Sequence, residues 1–230
     1  LPKYFDNAKL SELYNEKNLL DQKLDSLISI NDKENVIVLC ENQNSVILNK
    51  LGFENVMFSP EKNSNSVFIK IRNNPDKFGL RDRDYLVDCE IEKLQKQYSN
   101  YFILGYYCFE NYLYHPNNLI ELSLKDFNLD DYLSEITRQK NSNKNKIISI
   151  YKKARDSYEE FKIDSEKIKS NNCEQIIEYL ESDDLEIFFK AFSMKDYFNK
   201  KCIEKFNLTK DVLSSTNWFK GEFSKIIKMN

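Results

Sequence analysis

The stretch Val36-Ile37-Val38-Leu39-Cys40 is a short, β-branched, apolar run with polar residues on both sides. A run that is apolar at every position is typical of a strand covered on both faces, as in a parallel sheet. Further strands are predicted at residues 55–58, 78–80 and 101–104, each separated from the next by a segment with helical spacing of apolar residues. The order β-α-β-α-β-α-β predicts an α/β domain with a parallel sheet and right-handed crossovers.

Proline and glycine are much rarer in the residues after this domain. All four prolines and three of the four glycines lie before residue 117. Because Pro and Gly mark the turns between short elements, the chain is predicted to become all-helical near residue 116. We expect an N-terminal helix within residues 1–30, an α/β domain over 31–115 and a helical domain over 116–230. Within the last, helices are predicted at 129–137, 147–161, 173–180, 185–192, 196–206 and 211–227, with a polar linker at 141–145.

Composition limits the class of protein. The chain has 230 residues, 41% of them hydrophobic, and a net charge of −3, which excludes a disordered or collagen-like chain. Its five cysteines are scattered and include no C-x-x-C pair, which argues against a disulfide scaffold or a structural zinc site. No apolar run approaches the roughly 20 residues of a membrane span. We therefore expect a cytoplasmic protein that does not contact a membrane.

Acidic residues follow three of the predicted strands. Glu41 comes directly after the first strand, Asp82 and Asp84 after the third, and Glu110 a short turn after the fourth. Ligands of open parallel sheets bind outside the carboxyl ends of the strands, where these side chains are expected to meet. Carboxylate oxygens suit Mg²⁺ or Mn²⁺, so all four are candidate metal ligands, and Glu41 is alternatively a general base. Each acid alone has a second interpretation as a helix cap.

Basic residues suggest where a phosphate backbone could lie. Between residues 138 and 155 there are seven Lys or Arg residues and no acid, and Lys144, Lys146, Lys152 and Lys153 are the candidates for nucleic-acid contact. Arg81 and Arg83 flank the acidic pair and are candidates for binding phosphate beside the metal. The alternatives are a solvated helix face for the lysines and pairing with neighbouring acids for the two arginines. His115, before Pro116, is predicted to be a turn residue rather than a catalyst.

Three stretches together resemble a known family: Val36-Ile37-Val38-Leu39-Cys40-Glu41-Asn42, Phe78-Gly79-Leu80-Arg81-Asp82-Arg83-Asp84-Tyr85 and Tyr106-Tyr107-Cys108-Phe109-Glu110-Asn111-Tyr112-Leu113. They are similar to the Toprim fold of OLD-type nucleases, and in particular to the Toprim effectors paired with ABC-type ATPases in bacterial anti-phage defence. In that family the glutamate after the first strand corresponds to Glu41, and the Asp-x-Asp after the third strand corresponds to Asp82 and Asp84.

The resemblance implies a metal-dependent nuclease that uses Mg²⁺ or Mn²⁺ to cleave DNA, RNA or tRNA. Glu41, Asp82 and Asp84 would be the catalytic residues, with Glu110 as a further metal ligand. It also implies a toxic effector controlled by an ATPase partner. The chain has no P-loop motif and begins at Leu1 rather than Met, so the ATPase is expected as a separate chain or as an upstream domain. A homodimer is left open.

Two departures from the family pattern support an alternative. Asn42 stands where the family usually has Gly, and Gln43-Asn44-Ser45 occupies the neighbourhood in which a further acid is common. The alternative is a catalytically inactive Toprim-fold module that binds or scaffolds an ATPase complex. A third interpretation is an unrelated α/β phosphatase-like enzyme that uses the same acids, with an Asp nucleophile and a nearby Lys.

Overall fold

The computed structural model describes residues 16–21, 23, 35–157 and 173–227. By its internal contacts the chain forms two units, Leu1–Val36 and Ile37–Asn230. In the first unit residues 16–21 and 23 are helical, in agreement with the N-terminal helix predicted within residues 1–30; the other residues of that range lie outside the described ones. The second unit carries the sheet and every candidate site residue.

A four-stranded, all-parallel sheet forms the centre of the second unit, which confirms the predicted fold class. Its strands are β1 (Val36–Glu41), β2 (Val56–Glu61), β3 (Phe78–Arg81) and β4 (Tyr101–Ile103), in the order β2-β1-β3-β4. Leu39 pairs with Gly79 across β1 and β3. The two central strands are therefore β1 and β3, and their carboxyl ends, which carry Glu41 and the Asp82–Asp84 segment, are neighbours.

Helices connect the strands as the sequence predicts: α1 (Asn42–Lys50), α2 (Ser64–Asn73) and α3 (Asp88–Gln97). Gly52 adopts φ 62° just after α1, the left-handed conformation expected of a glycine that ends a helix. Helix α3 begins at Asp88, two residues before the start that the sequence predicts, at Glu90. Glu90 is the third residue of this helix, and its carboxylate accepts a hydrogen bond from the N–H of the cap residue Val87 at 2.9 Å.

Among the described residues that follow β4, the regular elements are helices, as predicted. These helices are α4 (Phe109–Leu113), α5 (Pro116–Glu121), α6 (Leu129–Ser157), α7 (Cys173–Glu181), α8 (Leu185–Phe188), α9 (Lys201–Glu204), α10 (Lys210–Ser214) and α11 (Asn217–Ile226). The predicted linker at residues 141–145 is wrong, because α6 runs through it. Asn and Lys without Gly or Pro do not break a helix, and the Asn143 side chain hydrogen-bonds the Gln139 carbonyl one turn earlier.

Two other predicted helices are shorter than expected. Between them the backbone is not helical, and a buried side chain makes hydrogen bonds with its N–H and C=O groups. The predictions 185–192 and 196–206 leave only α8 and α9. Between them, the Asn111 amide donates to the Phe192 carbonyl at 2.8 Å and its oxygen accepts from the Met194 N–H at 3.2 Å. The predicted helix 211–227 divides into α10 and α11 because the hydroxyl of Thr216 caps the second one, accepting from the Phe219 N–H.

The core lies on both faces of the sheet. The larger cluster joins the sheet to the helical region, where Phe109 of α4 packs against Phe219 and Phe223 of α11 with ring centroids 5.5 and 5.3 Å apart. The smaller cluster covers the other face and includes Val67 and Ile71 of α2. Gly79 lies under this helix, and a Cβ there would come within 2.7 Å of a Val67 methyl and 2.8 Å of an Ile71 methyl. Only glycine fits at this close approach.

His115 is buried at the start of α5, consistent with a turn residue. Its Nδ1 accepts the Asn117 N–H at 3.2 Å, so the hydrogen of the neutral ring is on Nε2, which lies 3.1 Å from the Glu186 carboxylate. The ring stacks between Tyr106 and Trp218, with centroids 5.5 and 4.5 Å away. Burial lowers the pKa of His115, and this outweighs the opposing effect of Glu186.

Two glycine substitutions should have opposite effects. We expect Gly79→Ala to lower the free energy of unfolding by about 1–3 kcal/mol, because the added methyl overlaps α2. Gly221→Ala should raise it by about 0.5–1 kcal/mol, because this position is inside α11 and the new Cβ has no neighbour within 4 Å. Urea unfolding followed by circular dichroism measures both, and a Gly79→Ala variant at least as stable as wild type would contradict the packing of α2 on β3.

The pKa of His115 predicts a pH dependence of stability. Its pKa is lowered in the folded state, so the unfolded chain takes up a proton first as the pH falls through the ordinary value of 6.5. Wild-type stability should therefore decrease below about pH 6.5 relative to His115→Phe, with a limiting slope of about 1.4 kcal/mol per pH unit. Urea titrations between pH 5.5 and 7.5 test this. Parallel curves for the two proteins would show that His115 titrates alike in both states.

Candidate active site

Glu41 ends β1 and stands at the cap position of α1, but its side chain makes no cap hydrogen bond there. It instead accepts a hydrogen bond from the backbone N–H of Ser64, at the start of α2. The interpretation of Glu41 as a cap of the helix that follows it is therefore wrong. Its carboxylate is half-buried and faces the carboxyl edge of the sheet.

Asp82 and Asp84 are held by different elements. Asp82 is 7% exposed, and its Oδ1 accepts the N–H of Phe109, the first residue of α4, at 3.1 Å. Asp84 adopts φ 50°, a left-handed conformation that Asp tolerates better than most residues. Its N–H donates to the Tyr107 carbonyl at 2.9 Å, and its carbonyl accepts from the Tyr151 hydroxyl at 3.1 Å. The backbone of Asp84 is thus fixed by the segment after β4 and by α6.

The four predicted acidic residues act electrostatically on one another. Burial raises the pKa of Asp82 well above its ordinary value, and the charges of Asp84, Glu41 and Glu110 raise it further. Burial and the charge of Asp84 likewise raise the pKa of Glu41. Like charges gathered in a partly buried place oppose folding, and such clusters are typical of functional sites. The fold therefore brings the predicted acids together at one edge of the sheet.

Two of these acids are paired with cations of the chain itself. Arg81 Nη2 lies 2.6 Å from Asp84 Oδ2, and the Arg81 Nε donates to the Asp82 carbonyl at 2.7 Å. Lys210 Nζ lies 2.9 Å from Glu110 Oε1. Burial would raise the pKa of Glu110, but the hydrogen bond and charge of Lys210 outweigh it, so the pKa is lowered.

Lys195 is a site residue that the sequence did not reveal. Burial would lower its pKa, but the negative charges of Glu110 and Asp82 outweigh this and raise it. Lys195 in turn opposes the rise in the pKa of both Asp82 and Glu41. It lies in the non-helical segment between α8 and α9, far along the chain from the acids. One lysine in a Lys-rich chain gives no sequence signal, so only the folded helical region identifies it.

The donor chemistry of the cluster suits a divalent cation, because carboxylate oxygens are the ligands that Mg²⁺ and Mn²⁺ prefer. In this conformation, however, the four carboxylates are not arranged to coordinate a metal ion. In the part of the chain that the structure describes, no three His, Cys, Asp or Glu side chains are placed so as to hold an ion. Arg81 pairs with Asp84, and Lys210 pairs with Glu110. The negative charge of these two acids is thus compensated by cations of the chain itself.

The two arginines beside the acids follow the alternative interpretation, pairing with neighbouring acids. Arg83 is 1% exposed; it donates to the Leu86 and Gly105 carbonyls at 2.9 Å and lies 2.7 Å from Asp88 Oδ1. In this conformation Arg83 stabilises the turn after β3. Arg81 is equally buried and holds Asp84.

The basic stretch of α6 is continuous in sequence but not on the surface. Lys144 pairs with Glu181 at 3.0 Å, and the ammonium of Lys146 lies 5.7 Å from the ring centroid of Tyr197. Three more of its basic residues bond within the chain: Arg138 to Glu135, buried Lys140 to the Ser182 carbonyl, and buried Arg155 to Glu90. Lys152 and Lys153 are exposed. Contact of the lysines with nucleic acid stays a prediction.

Comparison of the chain with protein-family models, curated proteins and solved structures gave no match. Among the described helices, none has the length and apolar character required to cross a membrane. The site must therefore be interpreted from its own chemistry.

The repulsion within the cluster predicts that neutralising one acid stabilises the protein. We expect Asp82→Asn to raise the free energy of unfolding at pH 7 by roughly 0.5–2 kcal/mol, because it removes a buried charge surrounded by like charges and keeps an acceptor for the Phe109 N–H. The matched control is Asp88→Asn. Lys190 and Arg83 hold the pKa of Asp88 at about 2, so this change should destabilise the fold. Thermal unfolding distinguishes them, and destabilisation by both would contradict the electrostatic account of Asp82.

Proposed function

We propose that this protein is a metal-dependent nuclease that cleaves phosphodiester bonds in DNA, RNA or tRNA. The observation that carries the proposal is the gathering of Glu41, Asp82, Asp84 and Glu110 at the carboxyl edge of a parallel sheet. The pKa values of Asp82 and Glu41 are raised there by burial and by the other acids. A site that concentrates negative charge on hard oxygen atoms is suited to a divalent cation.

Each residue has a role that follows from its surroundings. Glu41, Asp82 and Asp84 would hold Mg²⁺ or Mn²⁺, with Glu110 as a further ligand. When bound, such an ion lowers the pKa of its water and stabilises charge on a phosphate. Alternatively, Glu41 acts as a general base, a role that its raised pKa favours. The ammonium of Lys195, beside Asp82 and Glu110, is placed to offset negative charge brought by a phosphodiester.

The biological part of the proposal rests on the resemblance to Toprim effectors. On that basis we propose a cytoplasmic toxic effector of a bacterial anti-phage defence system, controlled by an ABC-type ATPase partner. The acids of the resembling motifs are the same residues that the fold brings together, which supports using the resemblance as a guide.

A second candidate function is a catalytically inactive module that binds an ATPase. Two observations favour it: the described residues contain no assembled metal-binding group, and Asn42 replaces the family's usual Gly at the first residue of α1. Metal binding distinguishes the two functions, because an inactive module has no need for it.

Nuclease activity is tested by incubating the purified chain with Mn²⁺ or Mg²⁺ and a mixture of plasmid DNA and total tRNA. We expect wild type and the control Asp88→Asn to cleave one of the two. Glu41→Gln should lower the rate by about 10²–10⁴-fold, as expected for loss of a general base. Asp82→Asn should abolish cleavage while its fold is as stable as that of wild type or more so.

Cleavage that persists in Asp82→Asn would show that the acidic cluster is not the active site. Absence of cleavage together with absence of Mn²⁺ binding would contradict the nuclease and favour the binding module.

A further inference from the structure

We infer that Lys210 is an internal counter-ion of the acidic cluster, and that its charge beside Glu110 weakens the binding of a divalent cation there. The inference rests on the proposed function, since it concerns control of the same site. Its starting point is the contrast between a donor set suited to a metal and the absence, among the described residues, of a group arranged to hold one.

In the ion pair between Lys210 and Glu110, the lysine is the more exposed partner. Lys210 Nζ lies 2.9 Å from Glu110 Oε1, and the side chains are 39% and 10% exposed. The acid is therefore nearly enclosed, whereas the lysine reaches it from the solvent side. Moving the lysine away exposes its ammonium to solvent, whereas the nearly enclosed carboxylate of Glu110 would need another cation in its place. The positive charge of an ammonium at this distance repels a metal cation that approaches the same carboxylate.

The buried residues of helix α10 (Lys210–Ser214) lie at its C-terminal end. At its C-terminal end Leu213 and Ser214 are buried, and the Leu213 carbonyl accepts from the buried Asn118 amide at 2.8 Å. At its N-terminal end the side-chain contacts with the sheet domain are ion pairs, Lys210 with Glu110 and Asp211 with Lys50, the second of which is exposed. Lys210 thus lies at the less buried end of the helix.

Arg81, another cation of the cluster, is more deeply buried than Lys210. The Arg81 side chain is fully buried, and it bonds both the Asp84 carboxylate and the Asp82 carbonyl. Releasing Arg81 would leave a guanidinium buried without its partners, which is costly. Compared with Arg81, Lys210 is therefore the cation that can be exchanged with less disturbance of the core.

Mn²⁺ affinity of the full chain, measured by electron paramagnetic resonance of free Mn²⁺, tests this inference. Lys210→Gln should bind Mn²⁺ about fivefold more tightly than wild type, the effect expected from losing a partly exposed ion pair. Lys210→Arg keeps the charge and should bind like wild type. Lys50→Gln is the matched control, because it removes the same charge from the other ion pair of α10 and should leave the affinity unchanged. Circular dichroism checks that each variant is folded.

The outcomes separate the two proposals. Tighter binding by Lys210→Gln alone supports the counter-ion role. Measurable binding with equal or weaker affinity in Lys210→Gln overturns that role and leaves the nuclease standing, as does equal tightening in Lys50→Gln, which would indicate a general effect of net charge. No Mn²⁺ binding by any variant overturns both proposals. Loss of binding in Asp82→Asn shows that the ion measured is the one held by the cluster.

Discussion

The parallel pairing of β1 with β3 determines where the acidic residues lie. Leu39 is opposite Gly79, so Glu41 and the Asp82–Asp84 segment leave the sheet side by side at its carboxyl edge. The packing of α2 on β3 also depends on this position, since a Cβ at Gly79 would overlap methyl groups of Val67 and Ile71. Crossover connections bring parallel strands to the same edge, and this topology gathers acids that are far apart in sequence. Geometry of the backbone, rather than attraction between side chains, assembles the cluster.

The cluster opposes folding, and the surrounding structure compensates for it. Asp82 is buried among like charges, and Asp84 has a left-handed backbone, two features that cost free energy. They persist because hydrogen bonds from α4 and α6 fix the segment and because Arg81 neutralises part of the charge. A protein under selection for stability alone would not keep such an arrangement. The local conflict is therefore physical support for a functional role that does not depend on the resemblance.

The sequence predicted the parallel sheet, the helical region and the acidic edge, because apolar runs, strand order and Pro and Gly placement are local signals. The ends of the later helices were wrong where buried polar side chains decide them, as Asn111 does between α8 and α9. The basic stretch of α6 misled for a related reason. Its charges are adjacent in sequence, but pairing with Glu181, Glu135 and Glu90 depends on tertiary contacts. Lys195 and Lys210 were not predicted, since their role depends on which acids they meet.

These two lysines show how the helical region completes the sheet domain. The acids all come from the sheet and the first helix after it, whereas Lys195 and Lys210 come from the last third of the chain. The charge of the site is therefore set by how the helical region is folded onto the sheet edge. A partner that shifts α10 would change the balance of charge at Glu110 without touching the acids themselves. Control of such a site requires only a small displacement of one short helix, because electrostatic pairing falls off steeply with distance.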